Sequence, residues 1–165
     1  EGIGRKYRLL STPSSIINFI TKGHLDASIT DTVVIEKVKK LQHDYKLAIK
    51  PRMYIYYDRY SLKEKKSIEG FHYNKIRITI DQNLIYRDET VSLFAGNQGA
   101  PLLDDNTVIM EIKAPGNKPQ WLQDILDKYG LMEHKFSKYS CAYHKSQGLP
   151  YAPRPSIESA GIAYA

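Results

Sequence analysis

Between Asn74 and Asp81 the chain alternates without a break between two kinds of side chain. At a period of two, Lys75, Arg77, Thr79 and Asp81 point to one side, and Ile76, Ile78 and Ile80 to the other. The stretch is read as a β-strand with one charged face and one oily face. Thr107 to Lys113 repeats the design, with Glu111 and Lys113 on one face and Val108, Met110 and Ile112 on the opposite one. If the two strands share a sheet, cations and a carboxylate gather on its polar side. An amphipathic sheet whose polar face simply meets water has the same pattern, so the rest of the chain must discriminate.

With 165 residues, 42% hydrophobic and 25% charged, the sequence suits one soluble globular domain with a real core. It opens on Glu1 rather than Met, with the basic run Arg5-Lys6-Tyr7-Arg8 close behind, and an upstream part is expected. A net charge of +6 favours a polyanionic partner, whether nucleic acid, polyphosphate, nucleotide or acidic lipid. Cys141 is the single cysteine, which excludes an intrachain disulfide and a cysteine-based zinc site and suits a reducing, cytoplasmic compartment. No apolar run approaches the roughly 18 residues of a membrane span. The five histidines lack metal-ligand spacing and are read as structural or surface residues.

Taken in order, residues 3–10 read as a short strand or its tail. Thr12 and Pro13 open a helix over 14–21 that stops before Gly23, and Asp31 caps a second helix carrying Val34, Val38, Leu41 and Tyr45 at helical spacing. Lys37, Lys39 and Lys40 form its solvated face. Met53 to Tyr60 is aromatic and β-branched enough for a strand, with Tyr57 and Arg59 on one side; residues 62–70 connect it to the alternating strand. Gln82-Asn83 signals a turn, with Leu84 to Arg87 pairing back, and residues 96–105 look like a surface loop. Pro119 opens a helix with Leu122, Ile125, Leu126 and Tyr129 on one side, Trp121 as packing anchor and Gly130 as stop. Residues 131–135 look extended, and a short helix runs from Phe136 to about Lys145. Residues 1–145 are assigned to the domain and 146–165, proline-rich and aperiodic, to a flexible or surface-strapping tail. No RNA-stacking motif is present, so nucleic acid is not expected as a partner.

Four local patterns stand in a definite order: Tyr57-Asp58-Arg59, Arg77-Ile78-Thr79-Ile80-Asp81, Met110-Glu111-Ile112-Lys113 and Lys135-Phe136-Ser137-Lys138-Tyr139. With Pro51 ahead of the first and the Pro119-Gln120-Trp121 helix start before the last, this order resembles the VTC domain, the polyphosphate polymerase branch of the triphosphate tunnel metalloenzymes. The resemblance implies an α+β fold, an antiparallel β-tunnel with a basic interior and helices packed outside. It implies transfer of the terminal phosphoryl group of ATP onto polyphosphate, with divalent manganese or magnesium. Carried over, Arg59, Arg77, Lys113, Lys135 and Lys138 bind phosphate oxygens and Glu111 holds the metal. Family strands with further basic residues have no counterpart here, so the chain resembles the C-terminal half of such a domain, supplying about half the strands. The missing half is expected on the same gene product, on a second chain or in a dimer.

Each residue also has an ordinary structural role open to it. Arg59 and Arg77 have Asp58 and Asp81 within reach as salt-bridge partners, Glu111 and Lys113 suit cross-strand pairing, and Lys135 and Lys138 suit solvent. Two other functions fit the same residues: a triphosphatase in which water is the acceptor, and a non-catalytic module that binds polyanions.

Overall fold

The computed structural model describes residues 7–45, 49–63, 76–114 and 117–155. Lys75, Arg5 and Lys6, the connection over 64–70 and the tail beyond Pro155 lie outside these residues. The chain divides into two compact units, Glu1–Arg52 and Met53–Ala165.

In the first unit, residues 7–10 do not form the strand their pattern suggests, since no strand among the described residues pairs with them. Helix α1 spans Pro13–Lys22 and α2 spans Thr32–Tyr45. The Thr12 hydroxyl accepts the Ser15 amide at 3.2 Å, and Gly23 closes α1 at φ 73°, a conformation that costs glycine little. Asp31 accepts the Val34 amide at 2.9 Å and starts α2 as its spacing predicts. Gln42 ties the helices by donating to the Ile20 carbonyl at 2.7 Å, over a buried Phe19. Lys37, Lys39 and Lys40 are exposed, and Lys40 pairs with Asp44 one turn on.

The second unit is built on β1 (Tyr54–Lys63), β2 (Arg77–Arg87), β3 (Ala100–Pro101) and β4 (Ile109–Lys113). The pairs are antiparallel and β2 is central: β1 runs along one edge, while β4 and then β3 share the other. Helix α3 (Gln120–Lys128), β5 (His134–Lys135), α4 (Lys138–Ser146) and β6 (Arg154–Pro155) follow, with β5 and β6 paired in a sheet of their own.

Gln82-Asn83 does not turn the chain, contrary to the sequence signal. Asp58 pairs with Gln82 but Tyr56 with Ile85, so β2 carries one extra residue there, and Asn83 takes it up at φ 53°. The Asn83 amide and the Tyr56 hydroxyl both donate to Asp58, each at 2.8 Å, and pin the bulge. Asparagine tolerates positive φ, so the residue that suggested a turn serves a bulge instead.

The bulge resets the alternation. Leu84 and Tyr86 now lie on the face of β2 that carries Asp81, and they pack with Ile55 and Tyr57 of β1 and with Met53 just before it. Cys141 and Ala142 of α4 close over them with Leu102, which is completely buried. The core therefore continues the charged face. On the opposite face Ile76 is buried and Ile78, Ile80 and Ile112 are half-buried, while Tyr60, Leu62 and Met110 on the flanking strands are 60%, 57% and 41% exposed.

Residues 96–105 are only partly the surface loop their composition suggests. Ala100 and Pro101 pair with β2, and the Leu102 amide donates to the Leu84 carbonyl at 2.8 Å. At Gly99 a Cβ would meet the Tyr86 carbonyl oxygen at 2.5 Å, so the close pass requires glycine. Arg87 holds the preceding loop through the carbonyls of Thr90, Ser92, Gly96 and Gln98. Trp121 is half exposed rather than a packing anchor. It shares the side of Ile125 on α3, whereas the buried stripe runs through Leu122 and Leu126.

Leu102→Ala is expected to lower unfolding free energy by about 2–5 kcal/mol, read from urea titration, because the site has no solvent-facing side into which to relax. Burial raises the Cys141 thiol pKa, with Lys145 opposing weakly, so a thiol reagent should label Cys141 slowly in the native protein and faster in that variant.

Candidate functional site

Three rows of side chains cross the sheet on one face. Register places Lys63, Arg77 and Lys113 in the first, Ser61, Thr79 and Glu111 in the second, and Arg59, Asp81 and Ile109 in the third. Beyond the third row the face becomes the apolar core under α4.

Asp81 is fully buried at that boundary. The Arg59 guanidinium grips it with both prongs, Nε to Oδ1 at 2.6 Å and Nη2 to Oδ2 at 2.8 Å. Lys138 adds its ammonium at 2.6 Å from Oδ2. Ser137 caps α4 by accepting the Ser140 amide, which sets Lys138 at the first helical position, three and four residues before the buried Cys141 and Ala142. One helix face thus delivers both the core contacts and the cation. Both cations also lie over the Tyr57 ring, Arg59 at 4.9 Å and Lys138 at 5.0 Å from its centroid.

Burial alone would push the Asp81 carboxyl up, but the hydrogen bonds and charges of Arg59 and Lys138 outweigh it and hold the pKa below the usual carboxylate value. Arg59 moves the other way, raised chiefly by its hydrogen bonds to Asp81, and stays charged. Next to this web, the Lys113 ammonium lies 2.5 Å from Glu111 Oε1, and Arg59 Nη2 is 3.9 Å from Oε2.

The structure therefore brings four of the six residues singled out in the sequence into one cluster: Arg59, Lys113, Lys138 and Glu111. Arg77 lies on the same face, opposite Lys113, with its side chain exposed and no ion pair among the described residues. Lys135 is on β5, exposed, and no ion pair among the described residues joins it to the cluster. Of the structural roles open to the arginines, Arg59 takes Asp81 and leaves Asp58 to the bulge. Sequence reasoning did not single out Lys63 or Thr79. Parity carried the signal for both, since Lys63 is four residues beyond Arg59 and Thr79 two beyond Arg77.

Among the described residues no three His, Cys, Asp or Glu side chains form a metal-holding group. Asp81 has both oxygens taken by nitrogen donors, which leaves Glu111 as the carboxylate able to exchange a partner. Thr79 is its cross-strand partner on β2, and a carboxylate oxygen is the hard donor type that magnesium and manganese take.

The family model for the VTC domain matches residues 1–146. No curated protein and no solved structure matches the chain.

Because the folded pKa of Asp81 is depressed, its contribution to stability is present above the unfolded carboxylate value of 3.8 and is lost as pH falls through the lower folded value. The denaturation midpoint of the native protein should fall as pH drops below about 4. Asp81→Asn should flatten part of that fall and cost about 3 kcal/mol at pH 7, the low end for a broken buried pair because Arg59 and Lys138 reach water. Parallel urea titrations from pH 6 to pH 2.5 check both.

Proposed function

The chain belongs to the VTC domain family, and from that premise we propose that it forms one side of a polyphosphate polymerase site, in which the terminal phosphoryl group of ATP passes to a polyphosphate chain. The observation that supports this best is the convergence of Arg59 from β1, Lys113 and Glu111 from β4 and Lys138 from α4 onto one face of an antiparallel sheet, in line with Arg77.

Phosphoryl transfer asks little covalent work of a protein. A terminal oxygen of the acceptor chain attacks the γ-phosphorus, the bond to the bridging oxygen breaks, and ADP departs with that electron pair. The acceptor is already ionised, so no general base is needed. The protein aligns the two chains and offsets charge on the oxygens in flight. Arg59, locked on Asp81, is a fixed cation whose position does not change when substrate arrives. Lys113 and Arg77 are exposed and can follow a moving chain, and the Arg77 fork suits two phosphate oxygens at once. Lys138 shares the anchor of Arg59, and Lys135 would meet the polymer farther along. Glu111, with phosphate and water oxygens, would hold magnesium or manganese, which when bound neutralises charge on the phosphates.

The sheet bears on the tunnel. Among the described residues β1 and β4 each have β2 as their only strand neighbour, so both outer edges can accept further strands. Closure around a basic lumen would use strands from another part of the same gene product or from a second chain, with helices outside.

A time course on ATP with manganese tests the reading: long phosphate chains are expected. Orthophosphate alone would mean that water is the acceptor and the protein a triphosphatase. Polyphosphate binding with no metal-dependent turnover would mean a binding module. Glu111→Gln should abolish metal-dependent turnover while leaving the fold intact by circular dichroism, and full activity would remove Glu111 from the site. Arg77→Ala should weaken polyphosphate binding about tenfold, with a shallower dependence on salt.

A further inference from the structure

The first row of the charged face sets three cations side by side: Lys63, Arg77 and Lys113 stand directly opposite one another on β1, β2 and β4. Like charges opposed across a sheet destabilise it, and here the central strand carries one on each side. Lys113 leans toward Glu111, but neither Lys63 nor Arg77 has an ion-pair partner among the described residues. An anion across the row would relieve that repulsion.

The second row supplies an independent observation. Thr79 is 7% exposed, and its Oγ1 is a buried side-chain polar atom with no hydrogen-bond partner among the described residues. A buried hydroxyl left unpaired costs stability that an apolar group of the same shape would not. Its cross-strand neighbours are Ser61 and Glu111, and the cation row is the next one along β2. Val at this position would fill the same space in a strand that otherwise favours β-branched residues, so a hydroxyl here is best explained by something it bonds.

We infer that Lys63 and Thr79 complete a phosphate-binding step with Arg77 and Lys113. Lys63 supplies charge from the β1 side, and the Thr79 hydroxyl donates a hydrogen bond to a non-bridging phosphate oxygen. Lys113, about half exposed and held by Glu111, exchanges that carboxylate for a phosphate oxygen as the chain arrives. This rests on the polyphosphate reading above and extends it to two residues.

Titration calorimetry with inorganic tripolyphosphate in metal-free buffer tests it, alongside Lys39→Ala as a control on an exposed face of α2. Lys63→Ala should weaken binding about threefold or more and reduce its salt dependence. Thr79→Val should weaken it about tenfold or more while leaving the melting temperature unchanged or raised, and Thr79→Ser should retain most of the affinity. Native affinity in both Lys63→Ala and Thr79→Val, with the unsubstituted protein binding, overturns this inference and leaves the proposed function standing. A lowered melting temperature with native affinity in Thr79→Val assigns the hydroxyl to the fold and overturns its role here. An unsubstituted protein that does not bind tripolyphosphate overturns both.

Discussion

The arrangement rests on one buried carboxylate. Removing Asp81 from water carries a desolvation cost that only close cations and satisfied lone pairs can offset, and Arg59 and Lys138 supply both. The three residues come from β1, β2 and α4, so the ion web is also a tertiary clamp. Lys138 stands at the N-terminal end of its helix, where the helix dipole disfavours a cation. Asp81 offsets that placement and, with the Tyr57 ring, holds both cations over the sheet.

The clamp sits on the line between an apolar core and a charged platform that share one sheet face. Cys141 and Ala142 can reach Leu84 and Leu102 only if α4 lies in a phase that also sends Lys138 to Asp81. Packing and electrostatics therefore select the same helix position. Cations on the platform divide into two kinds. Arg59 is held on both prongs and acts as a fixed source of positive potential, whereas Lys63, Arg77 and Lys113 have exposed side chains and can yield to a ligand.

Much of this was legible in parity. Alternation from Arg77 to Asp81 and from Ile109 to Lys113 put the right residues on one face, and Tyr57 with Arg59 joined them by the same rule. Thr12 and Asp31 mark helix starts because a side chain oxygen beside the first unpaired amides is a local interaction. The bulge was not legible. Asn83 favours positive φ in turns and bulges alike, and only the partner strand decides between them. Leu102 was hidden for a related reason: its neighbours Gly99, Pro101 and Asp104 describe a loop, and its burial depends on α4, far along the chain. Trp121 misled because size invites burial while helix phase withholds it.

By itself the sequence determined the net positive charge, and also which side chains share a strand face and where the helices begin, because these last depend on neighbours a few residues apart. Only the tertiary structure decided that the core lies on the charged side of the sheet, that Asp81 is the carboxylate Arg59 takes, and that a cation from the last helix joins them. Those outcomes depend on distances between segments that the bulge and the helix packing set, and no local pattern encodes them.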